Sequence, residues 1–169
     1  MKALAVTAAL LIAATSQAET FRSAKNYVQL ELPEQVASGA PAVVAKDGTT
    51  LVASFHGPSL HAAITRIGVP NRRAWRKDES YFKEVERGLA KTTPGYRRRR
   101  LKRHKLGKVP ALDLVFDRRT DDGRERVYAR FLFFRTFSIT LMVGTRAGSP
   151  RLAHRRARQL QKTFKPYFK

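Results

Sequence analysis

The sequence predicts an α+β domain in which an antiparallel β-sheet is covered by helices. Alternating apolar and polar residues, the mark of half-buried strands, occur both before and after a central helical region. Asp47-Gly48 and Asp122-Gly123 stand between apolar runs, where glycine accepts the positive φ of a hairpin turn. A last amphipathic stretch closes the chain. The order is strands, helices, strands, helix, which describes an antiparallel sheet with helices packed on it. With 169 residues, 43% of them apolar, the chain can bury one core and is not a disordered polycation.

The first 18 residues read as a Sec-type signal peptide. Lys2 precedes the apolar run Ala3 to Ala14, and Ser16-Gln17-Ala18 presents small residues for cleavage after Ala18. The run falls short of the roughly 20 apolar residues that cross a bilayer. A single domain, 19–169, is then expected in the periplasm or outside the cell. Cleavage removes one lysine, leaving 33 basic and 13 acidic residues, a net +20. There is no cysteine, so packing alone must hold the fold, and no lipid attachment point exists at the cleavage site. The best later apolar stretch, Val127 to Val143, is interrupted by Arg130 and Arg135 and cannot be a transmembrane helix.

Along the domain, Tyr27 to Leu32 alternates with Val28, Leu30 and Leu32 on one side and stops at Pro33. Val43 to Ala45 and Leu51 to Phe55 flank the Lys46-Asp47-Gly48-Thr49 turn. Leu60, Ala63, Ile64 and Ile67 fall at i, i+3, i+4 and i+7, which predicts a helix started by Pro58-Ser59 and ended by Gly68 and Pro70. A second helix is expected from Asp78 to Lys91, with Tyr81, Phe82, Val85 and Leu89 on one face. Tyr96 to Lys108 has no apolar face and reads as a charged edge strand. Ala111 to Asp117, Glu125 to Phe134 and Phe137 to Val143 are three further strands. Ser149 is expected as N-cap and Pro150 as the first residue of a closing helix. Its apolar face is Leu152, Ala153, Ala157, Leu160 and Phe164.

This layout resembles the PsbP/DcrB-like superfamily of small α/β/α sandwich domains. The matching pieces are Tyr27 to Pro33, with its proline-ended Leu-Glu-Leu-Pro, and the Gly107-Lys108-Val109-Pro110-Ala111 lead-in to a strand. The long hairpin Arg126 to Val143 and the terminal helix ending Lys162-Thr163-Phe164 complete the match. The resemblance implies the fold, export to the bacterial envelope, and binding or assembly roles. It implies no activity, because the superfamily has no shared catalytic motif to carry over. The basic run at 97–105 departs from it.

The chemistry-bearing residues predict no enzyme, no cofactor and no metal site. His56 and His61 are five apart, poor spacing for two ligands on one helical face, and the chain offers no thiolate. Alternation places Asp113 and Asp117 on one strand face, while Asp121 and Asp122 sit in a turn. Together they lack the spacing of a calcium loop and are expected to offset arginines. Gly144 to Gly148 reads as a loop before the last helix.

Charge carries the functional expectation. Between Arg72 and Lys108 there are 15 basic residues against four acids, and after Glu125 there are 11 and no acid. Arginine outnumbers lysine 22 to 12, which suits bidentate contacts with phosphate. The expected anion-binding residues are Arg97, Arg98, Arg99, Arg100, Lys102, Arg103 and Lys105 on the edge strand. Arg151, Arg155 and Arg158 join them on the last helix, where their spacing with Lys162 makes one stripe. Simple alternation would turn Arg98, Arg100 and Lys102 toward one ligand. The expected function is a non-enzymatic envelope protein binding an anionic surface (lipid head groups, lipopolysaccharide) or an acidic protein. The alternative is an exported, non-specific nucleic-acid binder, with Tyr96 and Trp75 near the run to stack on bases.

Export is directly testable. N-terminal sequencing of the protein from its native host should begin at Glu19, and recovery of Met1 in a cytoplasmic fraction would refute the signal-peptide reading.

Overall fold

A computed structural model describes residues 19–33, 35–38, 43–44, 49–76 and 78–168. The predicted signal peptide and the Asp47-Gly48 turn lie outside the described residues. In chain order the elements are β1 (Glu19–Ser23), β2 (Val28–Leu32), β3 (Ala37–Ser38), β4 (Val43–Val44), β5 (Thr50–Gly57) and β6 (Leu60–Ile67). Helices α1 (Arg72–Trp75) and α2 (Glu79–Thr92) follow. Then come β7 (Arg97–Leu106), β8 (Val109–Thr120), β9 (Gly123–Phe133), β10 (Ser138–Arg146), α3 (Arg151–Thr163) and β11 (Lys165–Pro166).

The main sheet runs β3-β5-β6-β10-β9-β8-β7, with β4 also paired to β5, and every pairing is antiparallel. A small sheet, β1-β2-β11, flanks it. Side chains of a strand alternate between faces, and β8 and β9 carry apolar residues on both, with Asp113, Asp117, Arg126 and Arg130 set among them on the α3 face. On one face Leu112, Leu114, Phe116, Ala129 and Phe133 meet Phe82 of α2. On the other, Ile64, Ile139 and Leu141 meet Leu30 of β2 and Ala157, Leu160 and Phe164 around α3. Helices on both faces of an antiparallel sheet make the α/β/α sandwich. As expected, β7 is the edge strand and α2 starts at Asp78, whose carboxylate accepts from the Ser80 and Tyr81 amides.

One element differs in kind. Leu60 to Ile67 is strand β6, not a helix. Residues four apart share a face in both structures, so Leu60 and Ile64 fit either period. The strand buries Leu60, Ala62 and Ile64 and leaves Ile67 40% exposed. Gly57 pairs with Leu60, so Pro58 and Ser59 form a two-residue hairpin loop, with Ser59 left-handed at φ 61°. Proline at the first central position and positive φ at the second is the pattern of a type II turn. Gly144, Thr145 and Arg146 belong to β10, so the connecting loop is shorter than expected. Helix α3 begins at Arg151 with Pro150 at its N-cap position and no side-chain cap, so Ser149 does not cap it. Leu152 faces solvent, half exposed, and Gln161 takes a buried place instead.

Burial separates two residues that the helical pattern grouped together. Phe164→Ala, in the core, should cost about 3–5 kcal/mol. Leu152→Ala should change stability by less than about 0.5 kcal/mol. Urea unfolding of the two variants checks both, and similar losses would contradict this packing.

Candidate anion-binding groove

The edge strand β7 does not lie flush with α3. Between them, with β8 and β9 as floor, a groove of about 420 Å³ opens on the α3 face of the sheet. Arg99, Arg100, Lys102 and His104 line it from β7. Arg126, Tyr128 and Arg130 line it from β9, and Arg158, Gln161 and Lys162 from α3. Asp113 is the one carboxylate among its lining residues.

The floor is built from two cross-strand ion pairs. Asp113 lies opposite Arg130 and Asp117 opposite Arg126 in the β8–β9 register, and directly opposed opposite charges stabilise a sheet. Arg130 donates from Nε and Nη2 to the two oxygens of Asp113, at 2.6 and 2.7 Å. Its Nη1 donates to the backbone carbonyls of Lys162 and Phe164, at 2.9 and 3.0 Å. Those carbonyls belong to the end of α3, where helix acceptors lack intrahelical donors. Asp117 accepts from Arg126 at 2.8 Å and from Arg99 at 2.6 and 2.8 Å. Gln161 donates to the Ala129 carbonyl at 2.6 Å, seating the helix on the sheet. His104 Nε2 lies 3.2 Å from Asp113 and makes no hydrogen bond among the described residues. Tyr128 Oη is 3.2 Å from His154 Nδ1.

With the acids of the floor engaged in this way, the side chains of Arg100, Lys102, Arg158 and Lys162 have no hydrogen-bonding or ion-pair partner among the described residues. They converge on the groove from two elements. This is an arrangement that can hold an extended anion, since cations gathered around a single, already paired carboxylate gain from any anion that enters. No group of His, Cys, Asp or Glu among the described residues has the arrangement of a metal site. His56 and His61 are cross-strand neighbours, with His61 Nε2 3.2 Å from Glu125. Glu125 reaches His61 across Gly144, where a Cβ would fall 2.2 Å from Glu125 Oε1.

The basic residues expected from the sequence do not act as one ridge. The register shifts between Arg98 and Arg100, a bulge at Arg99 that turns Arg99 to Asp117. Simple alternation therefore fails: Arg98 leaves the side of Arg100 and Lys102 and binds Glu86 of α2 at 3.0 Å. Arg103 pairs with Glu79 of α2, and with Lys105 it borders a separate cleft beside Phe82. Arg97 borders another small cleft, with Arg119 and Arg124. On α3, Arg158 enters the groove, while Arg151 and Arg155 are exposed outside it. Tyr96 is not free to stack on a base: its ring packs on Phe116, and its hydroxyl donates to Glu86. Trp75 lies away from the groove, beside Arg135. Arg126 and Arg130 were not among the expected site residues. Their signal was present, since they repeat the four-residue spacing of Asp113 and Asp117 on the neighbouring strand.

No protein-family model and no curated protein matches the sequence. Solved structures do match its fold. Cyanobacterial PsbP (CyanoP) from Synechocystis superposes with a TM-score of 0.61 at 9% identity, covering 88% of this chain and 92% of that one. The fold is the PsbP/DcrB-like one. Two further PsbP-like neighbours support the assignment. LpqN, described as involved in cell envelope biogenesis of Mycobacterium tuberculosis, gives 0.53 at 12% identity, covering 90% of this chain and 88% of that one. PA94 from Pseudomonas aeruginosa, a protein of unknown function, gives 0.50 at 14% identity, covering 90% and 99%. At these identities the likeness is one of fold, and the groove residues are read from this chain alone.

Asp117 gives the groove a pH signature. Burial works to raise the pKa of its carboxyl, but hydrogen bonds from Arg126 and Arg99 outweigh that and hold it below the ordinary value. A depressed folded pKa contributes stability in full above the unfolded value, near 4, and loses it as pH falls through the folded value. Asp117→Asn should therefore be less stable than the parent at pH 7, and the gap should narrow below about pH 4. Urea midpoints at pH 7, 4, 3 and 2 check this; parallel curves would contradict it.

Proposed function

We propose that this protein is a non-enzymatic, exported binding protein that holds a polyanionic partner in the groove between β7 and α3. One observation carries the reading: Arg100, Lys102, Arg158 and Lys162 converge from two elements with no ion-pair partner among the described residues, the groove's one carboxylate, Asp113, being held by Arg130. The net charge supports it, because +20 on the mature domain attracts anions over the whole surface while the groove gives them a place to bind. The leading partners are lipid head groups, the phosphates of lipopolysaccharide, or an acidic protein. Export rests on the Lys2 to Ala18 pattern. Among the described residues no helix is long and apolar enough to cross a membrane. The alternative, an exported nucleic-acid binder, keeps the phosphate-binding groove. It loses Tyr96 as a stacking platform, because that ring is packed on Phe116.

Two variants of equal charge test the groove. The first carries Arg100→Gln, Lys102→Gln and Arg158→Gln. The second carries Arg97→Gln, Arg151→Gln and Arg155→Gln. With inorganic polyphosphate as probe, the first should bind at least tenfold more weakly at 50 mM salt and show a flatter salt dependence. The second should stay close to the parent, and equal losses in both would reduce the groove to a share of general surface charge. A single-stranded oligonucleotide bound more than tenfold tighter than polyphosphate of equal charge would favour the alternative.

A further inference from the structure

The end of the sandwich at the β9–β10 turn carries a second surface, and none of its residues described below lines the groove. Four segments meet there: 24–27, 66–76, 134–138 and 165–168. The turn is their hub. The Asn71 side-chain amide donates to the Phe134 and Phe137 carbonyls at 2.9 and 2.8 Å, and its backbone N–H donates to the Arg135 carbonyl. The Trp75 indole donates to the Phe133 carbonyl at 2.9 Å. On the opposite side of the turn, the Tyr167 amide donates to the Tyr27 carbonyl at 2.8 Å.

This end is aromatic and exposed. Tyr27 is 46% exposed and Phe168 is 60% exposed, the largest exposure among the bulky apolar side chains of the described residues. They lie 6.2 Å apart, ring centre to ring centre, and both rest on the buried ring of Phe134. Ile67, the strand residue left 40% exposed, pairs with Ser138 on the same rim. Tyr27 is held in a left-handed backbone conformation, φ 55°, one that costs a non-glycine residue free energy and that often marks functional sites.

The same end is strongly basic. The four segments contain seven lysines and arginines and no acid. Arg66 stacks 4.3 Å from the Phe137 ring centre and Arg135 lies 5.4 Å from that of Trp75. Of these seven, Arg73 is paired with Asp78 and Glu84 of the α2 start, and the other six have no carboxylate partner among the described residues. Aromatic tips ringed by arginine and free of acid suit one kind of surface. Tyrosine and tryptophan settle at the boundary of head groups and acyl chains, and arginine attracts anionic head groups.

We infer that this aromatic–arginine end docks the protein onto an anionic lipid bilayer, with Tyr27 and Phe168 entering the head-group region. The inference stands apart from the groove, which shares none of these side chains. A soluble polyanion would satisfy the arginines but leave the exposed rings in water, so the bilayer is the partner that matches both features.

Trp75 is the only tryptophan in the chain and sits on the rim of this end, so it reports docking directly. The purified protein should bind phosphatidylcholine vesicles containing 30 mol% phosphatidylglycerol, with Trp75 emission shifted to the blue and quenched by brominated acyl chains. Phosphatidylcholine alone should give neither response. Tyr27→Ser with Phe168→Ser should lower partitioning at least tenfold while the circular dichroism spectrum is retained, since both side chains are largely exposed. Arg97→Gln with Arg155→Gln, outside both this end and the groove, should keep the Trp75 response. The inference falls if the protein binds these vesicles without quenching of Trp75, or if the Tyr27/Phe168 variant partitions like the parent. It also falls if Trp75 responds to a single-stranded oligonucleotide and not to the vesicles.

Discussion

The guanidinium of Arg130 sits where β8, β9 and the end of α3 meet, and only 4% of the residue reaches solvent. Burying such a charge costs several kcal/mol unless its donors are satisfied. Here the fork is matched: two donors on Asp113 and a third shared by two carbonyls that the helix leaves without partners. The negative end of the helix dipole faces the same cation. Arg130 therefore ties the end of α3 to the sheet. Removing it would strand the Asp113 charge, the case in which buried pairs cost about 3–5 kcal/mol. Lysine cannot replace it, because an ammonium lacks the planar fork.

The groove is a consequence of that anchor. With α3 tied to β9 through Arg130 and Gln161, the helix covers the inner strands, and the outer floor at β8 stays open beneath β7. Strand β7 then acts as a charged wall. Its position at the edge explains why a strand with no apolar face is tolerated. Charged side chains there discourage pairing with another sheet. The α2 face of β7 is held by Glu79 and Glu86, which leaves its other face to the groove.

Electrostatics divides the arginines into two populations. Every ion pair among the described residues uses an arginine or a histidine, and none uses a lysine. The planar fork suits carboxylates held at fixed positions on strands, as at Asp113 and Asp117. Many of the remaining cations gather at two places, the groove, whose one carboxylate Asp113 is held by Arg130, and the β9–β10 end, while others such as Arg151 and Arg155 stand apart. That segregation opposes compaction through like-charge repulsion, and a core extending over both faces of the sheet offsets it.

Much of the fold is legible in the sequence. The absence of an apolar face in 97–106 marks an edge strand, because no inner strand can leave both faces charged. The helix beginning at Asp78 and the β9–β10 hairpin declare themselves through capping chemistry and alternation. The closing helix is placed to within a residue, although its N-cap is Pro150 and its Leu152 faces water. Local pattern could not decide Leu60 to Ile67, since a four-residue repeat satisfies helix and strand alike; pairing with β5 and β10 settled it. The basic run and the helix stripe named Arg99, Arg100, Lys102 and Arg158, which line the groove, but not Arg126 and Arg130 of its floor. Which arginines are engaged by carboxylates and which are left facing the groove depends on a bulge at Arg99 and on cross-strand register. Register is set by the pairing of whole strands, and no local run of residues contains it.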